Sequence, residues 1–481
     1  MNCVFLGACS VGPRWIMSLL EKNGHAAFGI YLGYEKIMLG ENAAPFLPPV
    51  NRAFLQKNRI DIVGITVDSL NAKQAQLISA AIKRDFPQIA IIWGGIHPSV
   101  EPEECIAYPY VDYICIGEGE YPMLELCQSF CPGTAEEPRD TVIKNIWTKK
   151  DAHIFRNGLR DYIDINTVDF SRKELLYTGV YTSRGCAGNC SFCMSPYLKA
   201  TLGVKGAYFR NRRVDLVIED IKQMRRANRK FLLKHLLMPA SLKNKLKTLL
   251  RLFEYHYAPV RIKDDSFLLN KRWFFEFAEA FKRNFKRTGY ICSARVPDIT
   301  EKVVTALQES GCRMIILGFE SGDEQYRNQI LNKSVSDAQI LKAAELLHNA
   351  HIPILGQWMI GMPGETYEQA LKSIRMSLKI GDIPQVHIAT PFPKTKMREH
   401  GITLGLIERN QPVELKSIYD DFTLVPKDQK NIFRLLYNIF KIQSLTIIRP
   451  KNEVFDRFSQ EIKKLNDIRI GSLILDSTKE T

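Results

Sequence analysis

The chain has 481 residues, 45% of them hydrophobic and 25% charged, and carries a formal net charge of +14. That apolar fraction excludes a disordered chain, and the length divides over two or three domains of roughly 100–200 residues. No run approaches the ~20 apolar residues of a membrane-crossing helix, and the N-terminus lacks the basic segment and apolar run of a secretory signal. A cytoplasmic protein with reduced thiols is expected, and the positive charge alone selects no nucleic acid, lipid or acidic ligand.

Apolar runs punctuate the first 120 residues: CVFLG (3–7), the weaker HAAFGIYL (25–32), DIVGITV (61–67), IAIIWGG (89–95) and VDYICIG (111–117). They are near-continuously apolar rather than alternating, as strands buried on both faces require. Helical patterns separate several of them. Residues 14–22 follow Pro13, a suitable helix start, and 72–84 place apolar residues at 75, 78 and 82. Strands alternating with helices predict a parallel, doubly wound, flavodoxin-like α/β sheet, whose ligands bind at the carboxyl ends of its strands. DSLN after Val67, GGIHPSVEPEE after Trp93 and GEGE after Ile116 occupy those ends. Their glycines let a backbone approach a large ligand, or simply make tight turns.

The stretch WGGIHPSVEPEECIAYPYVDYICIGEGEYPMLEL resembles the cobalamin-binding domain that precedes many radical S-adenosylmethionine enzymes. The resemblance implies that Ser10, Thr66, Asp68, Ser69, Leu70, Gly94, Gly95, His97, Pro98, Gly117, Glu118, Gly119 and Glu120 surround a corrinoid. One departure matters. The better-known motif, Asp-x-His-x-x-Gly after the first strand, supplies a lower axial histidine, whereas here the loop reads GACSVGPRW and the first histidine is His25. A lower face without histidine ligation is therefore expected.

The segment SRGCAGNCSFCM (183–194) places Cys186, Cys190 and Cys193 in a C-x3-C-x2-C spacing. Most of the 11 cysteines read as small buried hydrophobes in a reducing compartment. This trio does not. Ordinary electron-transfer cubes cap all four irons with thiolates. Three thiolates leave one iron open, where the amino and carboxylate groups of S-adenosylmethionine can chelate and its sulfonium can accept an electron. Zinc is the competing reading. Zinc usually takes a second, distant pair, and neither a C-x2-C nor an H-x3-H follows downstream. With Phe192 before the third cysteine, the motif resembles that of the radical S-adenosylmethionine superfamily. The resemblance implies a [4Fe–4S] cluster, S-adenosylmethionine and a partial (β/α)6 barrel opening at the strand VYTSRG (180–185).

Periodicity downstream fits such a barrel. Helices are predicted at 214–226, 273–283, 301–310 (capped by Thr300), 337–349 and 368–380. Strands are predicted within 258–270, 289–295, 312–322, 352–366 and 385–395. Chemistry on barrels sits at the strand C-termini. By resemblance, Phe192, Asp265, Arg295, Glu320, Ser321, Gly361 and Pro391 would contact S-adenosylmethionine, with Asp264 beside Asp265 at its amino end. The family's Gly-Gly-Glu is missing there, and Lys394 stands where glycine is more frequent. Residues 229–257 are extra for this barrel, and 241–253 form a basic amphipathic pattern suited to packing on the barrel or to a weak contact with an anionic membrane or lipid. NIFRLLYNIFK (431–441) is apolar on one side and is expected to cap the barrel mouth.

The expected organisation is a cobalamin-binding-like domain over 1–135, a linker over 136–175, a barrel over 176–400 and a helical region over 401–481. The resemblance implies a cobalamin-dependent enzyme that methylates an unactivated carbon or phosphinate phosphorus through a 5′-deoxyadenosyl radical and methylcobalamin. It would be fed by a flavodoxin- or ferredoxin-type electron donor, with no obligate protein partner. Two alternatives stay open: cyclisation, rearrangement or oxidation on the same cofactors, and a corrinoid- or redox-sensing protein without turnover.

Overall fold

Apolar strands of the N-terminal third cannot be left with either face in water, and they stack into one sheet. A computed structural model describes residues 1–7, 12–31, 49–130, 142–150, 153–169, 179–202, 206–237, 258–413 and 422–448. The first sheet runs β2-β1-β3-β4-β5-β6-β7. Its strands are β1 (Asn2–Gly7), β2 (Ala26–Tyr31), β3 (Ile62–Thr66), β4 (Ala90–Gly94), β5 (Tyr113–Cys115), β6 (Ile146–Lys150) and β7 (His153–Arg156). The first five pair in parallel, in the doubly wound order predicted. Helices α1 (Gly12–Lys22), α2 (Pro49–Lys57), α3 (Ala72–Asp85) and α4 (Glu120–Ser129) connect and cover them. Trp93 shows the two-sided burial of such a strand: it is fully buried, and its indole N–H donates to Ser79 on α3 at 2.9 Å.

The stretch 136–175 is not merely a linker. Its β6 pairs antiparallel with β5, and β7 returns along β6, so the sheet extends by a hairpin. Ile146, buried at the start of β6, joins the core under β1 and α4, which is why the segment docks.

The second sheet is parallel and ordered β15-β14-β13-β12-β11-β8. It uses β8 (Gly179–Val180), β11 (Val260–Ile262), β12 (Tyr290–Ala294), β13 (Cys312–Glu320), β14 (Ile354–Ile360) and β15 (Ile383–Ile388). Successive strands lie side by side, the topology of a partial (β/α)6 barrel. The predicted first strand is broken: β8 is followed by β9 (Ser183–Arg184), which pairs only with β10 (Arg210–Asn211) among the described residues. The covering helices are α5 (Val214–Leu237), α6 (Lys271–Asn284), α7 (Glu301–Ser310), α8 (Asp337–Asn349) and α9 (Tyr367–Ile380). Thr300 caps α7, and capping boxes at Ser336 and Thr366 start α8 and α9. Helix α5 continues eleven residues beyond the predicted end at 226, into the stretch read as an insertion. The basic segment 241–253 lies outside the described residues.

Helix α10 (Lys430–Ile448) does not cap the barrel mouth. It packs on β15 and α9, on the helix side of the sheet. Phe433, Leu436, Tyr437 and Phe440 are buried there, with Phe440 5.7 Å from Trp358. Its apolar stripe finds a larger hydrophobic partner on the outer face of β14 and β15 than a polar mouth offers. No helix among the described residues is long and apolar enough to cross a membrane.

Candidate active site

The carboxyl ends of β3, β4 and β5 and the carboxyl ends of β8 and β11 open on one cavity of about 490 Å³. On the N-terminal side it is lined by Thr66, Asp68, Gly94, Gly95, Gly117, Glu118, Gly119 and Glu120, all expected corrinoid neighbours. On the barrel side the wall holds Tyr181, Arg184, Tyr208, Arg210 and Asp265. Trp15 of α1 completes it.

Four expected neighbours are not on this wall: Ser69, Leu70, His97 and Pro98. His97 is 5% exposed and its Nδ1 lies 3.2 Å from the Ser69 hydroxyl, so the two pair inside the domain. Burial pushes the His97 imidazole below its ordinary value, as for a neutral core histidine. Leu70 belongs to a turn, its N–H donating to Asp68 at 3.0 Å. Ser10 lies outside the described residues.

Glu118 and Glu120 do line the cavity, but their carboxylates are spent on the barrel domain. Glu118 takes Arg184 at 3.1 Å and also pairs with Arg210, and it accepts from the Ile163 N–H at 3.0 Å. Burial pushes its carboxyl up, and Arg210 and Arg184 outweigh that and hold it below the usual range. Glu120, 1% exposed, pairs with Arg184. The Arg184 guanidinium lies 4.2 Å over Trp15, and that of Arg210 4.5 Å over Tyr162. Both arginines escaped the sequence reading. Arg184 stood in plain view before the cysteines, but nothing in one sequence pairs it with GEGE.

The cysteine loop starts at Gly185, whose φ of +80° and 2.2 Å approach of the Tyr208 carbonyl to a would-be Cβ admit no side chain. A Cβ on Gly188 would lie 3.4 Å from the Cys186 sulfur and 3.8 Å from that of Cys190, so these two flank the same glycine. Backbone N–H groups of Gly188 and Ser195 donate to Cys186 (3.3 Å) and Cys193 (3.4 Å), a pattern that stabilises thiolates and tunes a cluster. Iron is ligated by thiolates rather than thiols, so loading the loop must release protons. Among the described residues no His, Cys, Asp or Glu trio converges tightly enough for a single metal ion. The loop is pinned from β13 onward: Ser191 N–H donates to Leu331 O at 3.0 Å, Asn332 to Asn189 O at 2.8 Å, and Met397 N–H to Ser191 O at 2.9 Å.

Apart from Phe192 in the cysteine loop, the expected S-adenosylmethionine residues lie at or just beyond strand ends, but only Asp265 faces the cavity. Its neighbour Asp264 is fully engaged, accepting from Thr182 N–H and Ser183 Oγ, each at 2.7 Å, and from the Thr182 hydroxyl. Glu320 ends β13 in a left-handed conformation, φ +66°, and pairs with Lys333 at 3.1 Å; Lys333 also sits 5.8 Å over Phe192. Arg295 is half-buried just beyond β12. Three others have internal duties. Ser321 is fully buried and its Oγ accepts from Asp323 N–H. The open backbone expected at Gly361 is filled: a Cβ there would lie 2.5 Å from Phe422, and its N–H donates to Glu365. Pro391 is buried, with its carbonyl accepting from Arg398 at 2.8 Å. Lys394 pairs at 3.2 Å with Glu101 of the first domain.

The model of the B12 binding domain matches residues 10–127, and that of the Radical SAM superfamily residues 180–376. The two domains of a radical S-adenosylmethionine enzyme with a B12-binding domain are thus both present in this chain. It is 26% identical over 72% of its length to an uncharacterized methyltransferase of Pyrococcus horikoshii, and 24% identical over 70% to the bacteriochlorophyllide d C-12(1)-methyltransferase of Chlorobaculum tepidum. The alignments span 70% and 64% of those relatives. In fold it is similar to the radical S-adenosylmethionine methyltransferase TsrM of Kitasatospora setae, solved with cobalamin and a [4Fe–4S] cluster (TM-score 0.61, 15% identity, 82% of this chain, 74% of that one). The enzyme's cofactors are a [4Fe–4S] cluster, S-adenosylmethionine and cobalamin. The residues fit them: amide-braced cysteines suit the cube, and a glycine-lined cavity with no histidine on its wall among the described residues suits a corrinoid without histidine ligation.

Proposed function

We propose that this enzyme transfers the methyl group of S-adenosylmethionine to an unactivated carbon, or a phosphinate phosphorus, of an organic substrate. The observation that carries this reading is the shared cavity: the corrinoid-facing loops of one sheet and the approach to the cysteine loop from the other bound the same space. When bound, the cluster with S-adenosylmethionine would supply radical chemistry and the corrinoid methyl-transfer chemistry. The chain's residues arrange the meeting. Cys186, Cys190 and Cys193 would hold the cluster by three thiolates, leaving a position for S-adenosylmethionine. Phe192, Arg295 and Glu320, the last steadied by Lys333, take the nucleoside and methionine ends. Asp265, exposed on the cavity wall, stands where it can hold a substrate ammonium or hydroxyl. Tyr181 and Tyr208 shield the space from water. A flavodoxin- or ferredoxin-type donor supplies the electron.

The methyltransferase names of the relatives support methyl transfer. The test is anaerobic turnover of the reconstituted protein with S-adenosylmethionine labelled in its methyl group and candidate acceptors. Label in the product together with 5′-deoxyadenosine is expected. Product without label, with 5′-deoxyadenosine still released, replaces methyl transfer by another radical outcome. No 5′-deoxyadenosine at all leaves a sensing module.

A further inference from the structure

We infer that Arg184 is a positioning residue that fixes the cluster loop against the corrinoid-facing loops, so that occupancy of one cofactor site is felt at the other. Arg184 stands two residues before Cys186, a span of at most ~7 Å of chain. Its side chain is 19% exposed, and its recorded partners all belong to the other domain. Glu118 lies in the loop after β5, Glu120 opens α4, and Trp15 lies on α1, stacked under the guanidinium at 4.2 Å. These three residues also wall the cavity.

β9 offers little other anchorage. It is two residues long and pairs only with β10 among the described residues, where Arg184 faces Arg210. Arg210 leans on the same Glu118. Two guanidinium groups and two carboxylates thus close a balanced, largely desolvated set. Arginine holds such partners through a planar fork that fixes orientation as well as distance. Glu118 and Glu120 alternate in sequence with Gly117 and Gly119, the backbone that a corrinoid would approach. A ligand that shifts this loop must therefore shift Arg184, and with it the start of the cysteine loop. The inference rests on the presence of both cofactors and not on methyl transfer.

The test uses the full chain, reconstituted anaerobically with iron, sulfide and hydroxocobalamin. Wild type is compared with R184K, R184M and E118Q, and with E103Q, which removes an exposed ion pair to Arg156 far from the cavity. Electron paramagnetic resonance of the reduced cluster is recorded with and without corrinoid, together with its dipolar interaction with Co(II). In wild type and E103Q the cluster signal is expected to change on corrinoid binding and to show a defined dipolar splitting. In R184M both should be lost while iron and corrinoid contents stay at wild-type levels, and R184K should restore them in part. Should R184M fail to fold, E118Q decides, because it keeps the Arg184–Glu120 pair and the side-chain shape. An altered splitting in E118Q supports the coupling, and an unchanged one overturns it. A wild-type splitting in R184M, or a wild-type cluster signal indifferent to hydroxocobalamin, overturns it as well.

Discussion

Glu365 shows how much a single buried carboxyl can matter. It is 4% exposed, one oxygen accepts from the Gly361 and Met362 N–H groups at 2.7 and 3.1 Å, and the other has no partner. Burial pushes it from 4.5 up to about 8. The folded state therefore holds a proton that the unfolded chain has released between those values. Stability contributed by this group is fully present below pH 4.5 and falls as the pH rises to about 8, by at most about 1.4 kcal/mol per unit. Glu365→Gln, neutral at every pH, should flatten that decline, read as unfolding midpoints from acid to mildly alkaline pH. At the cysteines the effect is all-or-none. Replacing Cys186, Cys190 or Cys193 by Ala should abolish cluster iron, visible absorbance and 5′-deoxyadenosine release, while the fold, whose cores exclude all three, persists.

Single elements hold the site from outside. Helix α10 serves as the outer helix of β15, burying Phe433, Leu436 and Phe440 against Trp358 and its neighbours. Phe440→Ala should cost about 3–5 kcal/mol, and hydrogen exchange should show α10 and β15 losing protection together. Residues 331–335 form a strap over the cysteine loop, with Asn332 and Ser334 at φ of +53° and +54°. Asn tolerates that conformation better than most residues. Asn332→Ala forfeits it along with the exposed bond to Asn189 O, at a cost of about 0.5–1.5 kcal/mol, and exchange at 187–193 should quicken. Most of these elements were legible in advance: the N-cap Thr300 and the span 337–349 stand as their capping chemistry and 3.6-residue period required. The hairpin β6–β7 was not, because its pairing depends on an edge supplied by β5.

At the scale of the molecule, two sheets present the carboxyl ends of their parallel strands to one cavity, and buried ion pairs bridge the gap. Such pairs add little net stability over apolar contacts, yet breaking one partner costs about 3–5 kcal/mol, because a charge is left stranded. They serve registry between the domains. A corrinoid seated there must stabilise the whole chain. Hydroxocobalamin at a hundredfold excess over its Kd should raise stability by about 2.7 kcal/mol, measured as an upward shift of the unfolding midpoint. No shift at any concentration would remove the corrinoid from this cavity.

By itself the sequence determined both sheets, most of their helices and the cysteine trio, because period, capping and ligand spacing are local properties of the chain. It marked the GEGE loop but not its use. Whether a carboxylate meets a ligand or a guanidinium depends on residues some 60 to 90 positions away, Arg184 and Arg210 for Glu118 and Glu120. Gly361 is the same lesson in reverse: its missing Cβ makes room for Phe422. Such choices are settled only when distant segments compete for the same buried volume, and that competition exists only in the folded chain.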